Sequence, residues 1–336
     1  MFTKKTFIIA EAGVNHNGNI KFAYQLIDAA KKAGADAVKF QIFKTENYII
    51  KKAKLAEYQK KNVKTTDNQF DLIKKYELSE NQIVKIIRYC KKKRILIIFS
   101  PFDIWGIDFL IKKKFKIIKI PSGEIASYNY LKYLAKFNRK LILSTGMAKI
   151  NEIKRAVNHL VKNGTKRKNI SILQCNTEYP TPVEDLNLNV IPYLKKMFKL
   201  NIGLSDHSEG IIAPIVAISN GAKIIEKHIT LDKKMLGPDH KASLEPKEFY
   251  NMVKNIRIAE ISLGSKFKKI SKSEKKNIKI ARKSIVAKKN IFKGDKFTFL
   301  NLTEKRTGKG KGTFKIVKLI GKKSSRNYKR DQIINI

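Results

Sequence analysis

Two cysteines in 336 residues are too few for a disulfide framework, and Cys90 and Cys175 fall in different predicted elements. A reducing, cytoplasmic setting is the simplest expectation. No apolar stretch is long enough to span a bilayer. The short apolar run after Lys4 and Lys5 reaches Glu11 almost at once, so it does not read as a secretory signal. Acidic residues are scarce: 28 against 72 lysines and arginines, a formal net charge of +44. That balance invites a nucleic-acid reading, but its distribution argues otherwise. The excess is mostly lysine, spread along the whole chain with abundant Ile and Asn, a pattern of compositional drift. Clusters at 31–32, 91–94 and 112–114 fall at predicted helix C-termini, where cations complement the helix dipole. No aromatic residues are interleaved with them for base stacking, and no RNA-recognition or zinc-finger pattern accompanies them. We expect no specific nucleic-acid partner and no membrane, only nonspecific adhesion at low salt.

What is present is a regular alternation. Short, almost continuously apolar runs at 7–10, 37–41, 95–99, 117–120, 141–144, 171–174, 201–204 and 223–226 read as parallel strands covered on both faces. Between them lie amphipathic stretches of helical length, such as 20–33, 79–92, 150–162 and 246–263. Eight strands in this alternation predict a (β/α)8 TIM barrel over residues 1–263. No G-x-G-x-x-G follows a strand, which disfavours a dinucleotide fold. Residues 45–76 are too long and polar for a simple turn and predict an excursion over the barrel mouth. A Lys- and Ser-rich stretch, 264–280, reads as a linker. Beyond it, 281–336 predicts a small, turn-rich domain with strand-like runs at 284–287, 297–300 and 333–336.

In such a barrel the chemistry lives at the C-terminal strand ends. In order they offer Glu11; Lys39 and Gln41; Ser100; Lys119, Ser122 and Glu124; Ser144 and Thr145; Asn176, Thr177, Glu178 and Tyr179; Ser205, Asp206 and His207; Glu226, Lys227 and His228. Each has a bland reading. His207 and His228, one repeat apart, could hold one metal ion or be two unrelated polar residues. Lys39 and Lys119 could pair with Glu11 and Glu124 for structure alone. Residues 11–18 could be a turn leading to a cap at Asn19. His16 reads as loop-orienting, His159 as a surface residue and Cys175 as packing, while Asp239 is the favoured member of the turn 237–240. Together the rim offers two lysines and several hydroxyls for a phosphate, two histidines for a borderline divalent metal, and carboxylates for proton transfer. A phosphorylated nucleophile meeting a metal-polarised carbonyl suits that inventory.

Several segments resemble the sialic acid synthases, the NeuB-type N-acetylneuraminate synthases. They include Ile9-Ala10-Glu11-Ala12-Gly13-Val14-Asn15-His16-Asn17-Gly18, Ala37-Val38-Lys39-Phe40-Gln41 and Lys119-Ile120-Pro121-Ser122-Gly123-Glu124. Ser144-Thr145-Gly146-Met147, Cys175-Asn176-Thr177-Glu178-Tyr179-Pro180 and Gly203-Leu204-Ser205-Asp206-His207-Ser208 follow, then Glu226-Lys227-His228 and Gly237-Pro238-Asp239-His240. The terminal segment resembles the small antifreeze-like (SAF) domain of these enzymes.

The resemblance implies condensation of phosphoenolpyruvate with N-acetylmannosamine, by attack on a metal-polarised aldehyde, water addition and C–O cleavage that releases phosphate. It matches His207 and His228 to the ligands of a divalent metal, Mn²⁺ first, with Mg²⁺ or Co²⁺ as alternatives. Lys39, Ser100, Lys119, Ser122, Thr177 and Ser205 match phosphoenolpyruvate-binding positions, and Glu11, Gln41, Glu124, Tyr179 and Asp239 match residues around the sugar. Glu11 is the first choice for handling the water proton and Glu124 the second, with Asp239 orienting the sugar. Arg306 matches an arginine that reaches the partner's barrel, which implies a domain-swapped homodimer. Two positions depart from the pattern: Ser100 stands where threonine is frequent, and Thr307 replaces a proline that would fix φ beside Arg306. The nearest alternative is a legionaminate-type synthase taking a 2,4-diacetamido hexose with the same rim. More distant ones are a phosphoenolpyruvate-dependent keto-sugar-phosphate synthase and a non-enzymatic basic binding protein.

Overall fold

A computed structural model describes residues 5–63 and 68–335. Contacts divide the chain into two compact units, one ending at Gly264 and one beginning at Ser265. The first unit contains eight strands: β1 (Phe7–Gly13), β2 (Ala37–Ile42), β3 (Leu96–Pro101), β4 (Ile117–Ile120), β5 (Lys140–Ser144), β6 (Ile170–Cys175), β7 (Asn201–Asp206) and β8 (Ile224–His228). All neighbours are parallel, hydrogen-bonded in the order β3-β2-β1-β8-β7-β6-β5-β4. The two end strands, β3 and β4, come into contact, so the sheet is a near-closed barrel of the expected class.

Strand alternation builds the site. Inside the barrel, Ile9, Ala37, Ile98, Ile117, Ile142, Leu173 and Ile224 form one buried apolar cluster. The matching position on β7 is Gly203, where a Cβ would fall 2.7 Å from Ile224 Cβ and from Leu173 Cδ2. Side chains two residues apart share a face. Two steps further along each strand stand Glu11, Lys39, Ser100, Lys119, Ser144, Cys175, Ser205 and Glu226. All eight are buried. An apolar floor thus carries a polar rim. The opposite faces, with Ile8, Val38, Phe40 and Ile225 among them, pack on the helices in the larger core.

The helices hold this arrangement with ordinary local chemistry. Asn19 caps Ile20–Lys32, and Ser79 and Gln82 form a capping box on Glu80–Lys93, which ends at Arg94 in the left-handed region. Among the described residues the excursion after β2 contains three short helices, Thr45–Tyr48, Glu57–Val63 and Gln69–Lys74. They pack through Val14, Phe43, Leu55, Leu72 and Tyr76. Glu77 fastens the base of the excursion: its carboxylate accepts from Thr45 N (3.0 Å), Thr45 Oγ1 (2.8 Å), Lys44 Nζ (3.1 Å) and Lys74 Nζ (3.0 Å).

Two sequence expectations fail in the second unit. The presumed linker 264–280 contains a helix, Lys272–Ala281, because Ser271 and Glu274 form a reciprocal capping box that its lysine content concealed. Residues 297–300 are not a strand. Asn301 Oδ1 accepts from Thr298 N (2.8 Å) and closes a turn there. The strands are β9 (Lys283–Ala287) and β10 (Leu302–Arg306), antiparallel, over a core that includes Ile285, Ile291, Phe297, Leu319 and Tyr328. The run 333–336 contributes one bridge, Val286 to Ile333, and residue 336 lies outside the described residues.

Candidate active site

The rim opens into a cavity of about 600 Å³. Glu11, Lys39, Gln41, Ser100, Lys119, Ser122, Thr177, Tyr179, Ser205, His207, His228 and Asp239 all line it. Of the other two residues singled out from the sequence, Glu124 stands one place beyond the lining Gly123, half-buried on the turn Ser122–Ala126, and does not line the cavity. Burial pushes its carboxyl above the usual range. Arg306 ends β10 in the second unit and is exposed there. Thr307, where a proline was expected, is held by a hydrogen bond between its hydroxyl and Ser284 Oγ (2.8 Å).

Strand register sets the electrostatics. Glu11 is paired in register with Lys39 on one side and His228 on the other. Lys39 Nζ lies 2.9 Å from Glu11 Oε1 and 2.9 Å from Ser100 Oγ. Lys119 Nζ lies 2.7 Å from Glu226 Oε1, which also accepts from Ser205 Oγ (2.9 Å) and stands 3.6 Å from Lys39 Nζ. Burial opposes charge on Glu226, but Lys119 and Lys39 outweigh it and hold the carboxyl at about 2. Glu11 goes the other way: burial pushes it up despite Lys39. Two lysines therefore share one firmly ionised carboxylate and a second, Glu11, whose raised pKa makes it the better proton acceptor. Two ammonium groups ringed by serine hydroxyls suit an anion. Glu11 Oε2, Glu226 Oε2 and Ser144 Oγ are buried with no hydrogen-bond partner among the described residues, so acceptors and donors remain for a ligand.

Glu226 is the residue that sequence reasoning named only in passing, although it binds both lysines. The signal was available: it stands two residues after floor residue Ile224 and two before His228. Lys227, named beside it as a rim residue, faces the other way and is buried against Asp206. Cys175, expected to be a packing residue, is buried and does not line the cavity. It is the rim residue of β6, with Sγ 3.5 Å from Ser122 Oγ and 4.0 Å from His207 Nδ1. Burial raises its thiol, yet His207 and Lys119 bring it down to about 7. His16 does orient its loop, its Nδ1 accepting from Gly18 N (3.0 Å).

His207 and His228 lie with ring centroids 5.3 Å apart. Tyr179 stacks on the first at 4.1 Å and meets the second edge-on at 5.5 Å. His207 Nδ1 donates to Asn176 O (2.6 Å), which leaves Nε2 as the lone-pair nitrogen facing the Tyr179 hydroxyl (3.2 Å). His228 is held neutral, its pKa pushed well below the ordinary value by burial and then by His207 and the lysines. Its Nδ1 is buried without a hydrogen bond, 3.8 Å from Asp239 Oδ2. Burial, then Glu11, raises Asp239 to about 7. Gly13, at φ +51°, lets these groups converge: a Cβ there would crowd Glu11 Oε1 (3.3 Å), His228 Cε1 (3.4 Å) and Asp239 Oδ2 (3.5 Å). Two imidazoles, His228 neutral and with an orphaned nitrogen, fit a divalent ion of borderline softness. On His207 burial opposes the charge, but Cys175 and the Asn176 carbonyl outweigh it and raise its pKa. Among the described residues no three His, Cys, Asp or Glu side chains form a ready metal cage. An ion held here would take its other ligands from substrate and water.

The sequence profile of the NeuB family matches residues 26–268. The chain is 50% identical to the N,N'-diacetyllegionaminic acid synthase of Campylobacter jejuni, over 98% of this chain and 99% of that protein. It is 40% identical to the enzyme of the same name from Legionella pneumophila, over 96% and 91% of the two chains. Among solved structures, the N-acetylneuraminic acid (sialic acid) synthetase of Leptospira borgpetersenii, in complex with citrate, is similar with a TM-score of 0.71. That match has 33% identity and covers 82% of this chain and 90% of that one.

Proposed function

The chain belongs to the NeuB family of phosphoenolpyruvate-dependent sugar-acid synthases, and from that premise we propose that it joins phosphoenolpyruvate to a 2,4-diacetamido hexose, giving an N,N'-diacetyllegionaminate-type acid and phosphate. One observation carries the choice of sugar: 50% identity, nearly end to end, to an N,N'-diacetyllegionaminic acid synthase. It favours the diacetamido sugar over N-acetylmannosamine, which the motifs alone suggested.

Lys39 and Lys119, with Ser100, Ser122, Thr177 and Ser205, hold the phosphate and carboxylate of phosphoenolpyruvate, while Glu226 pairs with both lysines and holds them in place. Gln41, Tyr179 and Asp239 surround the sugar. His207 and His228 would hold a divalent ion, Mn²⁺ first and Mg²⁺ or Co²⁺ next, which when bound polarises the sugar aldehyde. The enol carbon bonds to the aldehyde carbon, water adds to the electron-poor carbon left behind, and C–O cleavage expels phosphate. Positioning the two reactants supplies much of the rate. Glu11, lining the cavity where Glu124 does not, accepts the proton of the added water through its unpartnered Oε2. Asp239, titrating at about 7, gives a proton to the new alkoxide.

Phosphate release from phosphoenolpyruvate, Mn²⁺ and a panel of aldoses tests the reading. Turnover should be fastest with the 2,4-diacetamido sugar and stop on chelation; no turnover with any N-acylated mannosamine-like sugar would sink it. We extend the proposal to the second unit as an SAF domain in a homodimer, with Arg306 serving the sugar of the other protomer. Mixing Arg306→Ala with His228→Ala should then restore activity in mixed dimers. Continued inactivity despite demonstrated subunit exchange overturns the dimer. Among the described residues no helix is long and apolar enough to cross a membrane.

A further inference from the structure

Phosphoenolpyruvate carries no nitrogen, so both acetamido groups of an N,N'-diacetyl product must arrive on the sugar, and the enzyme needs a place for the second one. We infer that Gln59 and Gln69, on the excursion, form the subsite that reads this second acetamido group; the inference rests on the sugar proposed above.

Both side chains line the cavity. Gln59 is 5% exposed, and its Oε1 is committed: it accepts from Ala56 N (3.0 Å) and from Gln69 Nε2 (3.3 Å). The backbone N–H fixes the orientation of the amide, since only an oxygen can face it. Among the described residues Gln59 Nε2 is thereby left as a free donor. Gln69, its nitrogen spent on Gln59, is left with Oε1 as a free acceptor. One donor beside one acceptor is the hydrogen-bonding complement of a secondary amide, whose carbonyl accepts and whose N–H donates. A hydroxyl at the same sugar position also donates and accepts, but from a single atom next to the ring. It would not reach as far as an acetamido group, whose N–H and carbonyl are spread over several atoms. Val14, Ala56 and Ile73 line the same cavity and offer an apolar seat for the acetyl methyl.

The pair also faces the sugar rather than the phosphate. Asn62, three residues after Gln59 on the helix Glu57–Val63 and so on the same face, donates from Nδ2 to Tyr179 O (3.3 Å) and Pro238 O (2.8 Å). Those carbonyls belong to the loops that carry Tyr179 and Asp239. The excursion thus docks on the sugar-side loops and presents its two amides beside them.

The test measures kcat/KM for a 2,4-diacetamido hexose and for N-acetylmannosamine in wild type, Gln59→Glu and Gln69→Leu. Gln59→Glu keeps the acceptor for Ala56 N–H and removes the free donor; Gln69→Leu removes the free acceptor, together with the donor to Gln59 Oε1, at a half-buried site. The preference for the diacetamido sugar should fall roughly tenfold or more in each variant, the effect of losing one hydrogen bond in a buried site. KM for phosphoenolpyruvate reports whether the rest of the site is intact. A wild type that prefers N-acetylmannosamine removes the proposed function and the inference together. A wild type that prefers the diacetamido sugar, with neither variant altering the ratio, overturns the subsite alone.

Discussion

Glu226 and Lys227 are neighbours on β8, both buried, both in lysine–carboxylate pairs, and they differ in what they leave undone. Lys227 Nζ lies 2.6 Å from Asp206 Oδ2 and also donates to Ser208 O. Asp206 Oδ1 accepts from Ser208 N (2.9 Å) and Ser208 Oγ (2.7 Å). Every strong group there has a partner. One residue away, Glu226 serves two lysines with one oxygen while its other oxygen stands empty, as does Glu11 Oε2. Burial alone does not mark a site, and neither does a buried salt bridge. Unspent hydrogen-bonding capacity turned toward a cavity does.

Lys227→Met breaks the saturated pair and strands Asp206 in the interior. Unfolding by denaturant should show a loss of about 3–5 kcal/mol, while the folded enzyme keeps its KM for phosphoenolpyruvate. Adding Asp206→Leu should recover only part, because Ser208 N–H and its hydroxyl then lack an acceptor. If Lys227→Met instead left stability intact and abolished turnover, the contrast between the two faces of β8 would be wrong. Lys39→Met should do the reverse. Its kcat/KM for phosphoenolpyruvate should drop on the order of 10²–10³-fold, with a smaller change in melting temperature than Lys227→Met, since Glu226 keeps Lys119 and Ser205 as partners.

Glu77 sharpens the comparison because it sits at the base of the excursion over the cavity and yet is saturated. It should behave like Asp206. Burial works against its charge, but the Thr45 backbone N–H, Lys74, the Thr45 hydroxyl and Lys44 hold it at about 2. A carboxylate depressed in the folded state gives stability that is present above its unfolded pKa, near 4.5, and lost as pH falls toward 2. Glu77→Gln should therefore cost about 1.5–3 kcal/mol at neutral pH. The difference from wild type should shrink steadily below about pH 4.5. A gap that stays constant down to pH 3 would mean the carboxylate's charge is not what holds the excursion.

Much of the barrel was legible because a parallel strand buried on both faces has little choice of residue, and all eight runs stand where the apolar residues predicted them. Apart from β4 and β5, their C-terminal ends were read short. β1 extends to Gly13 and β8 to His228, since polar residues there face the cavity and still belong to the ladder. Most of the rim could be listed from those ends, but facing could not be assigned until the strands were counted in twos from the floor. That is why Lys227 looked like a rim residue and Glu226 went unused. The helix Lys272–Ala281 was hidden by composition, although Ser271 and Glu274 announced it at the right spacing. Gln59 and Gln69 were invisible in sequence, because their roles depend on which amide atom each has already spent.

Gly203 carries no chemistry, and a mutational scan should nonetheless score it beside the residues that do. A methyl group there would press on Leu173 and on the backbone of β8, forcing β7 and β8 apart. Ser205 and Glu226 lie just above, 2.9 Å apart, and Glu226 sets where both lysines sit. A library built to change the sugar can vary the cavity-lining positions of the excursion, leaving Glu77 and Asn62 to hold it, but it has to treat this one missing side chain as part of the pocket's dimensions.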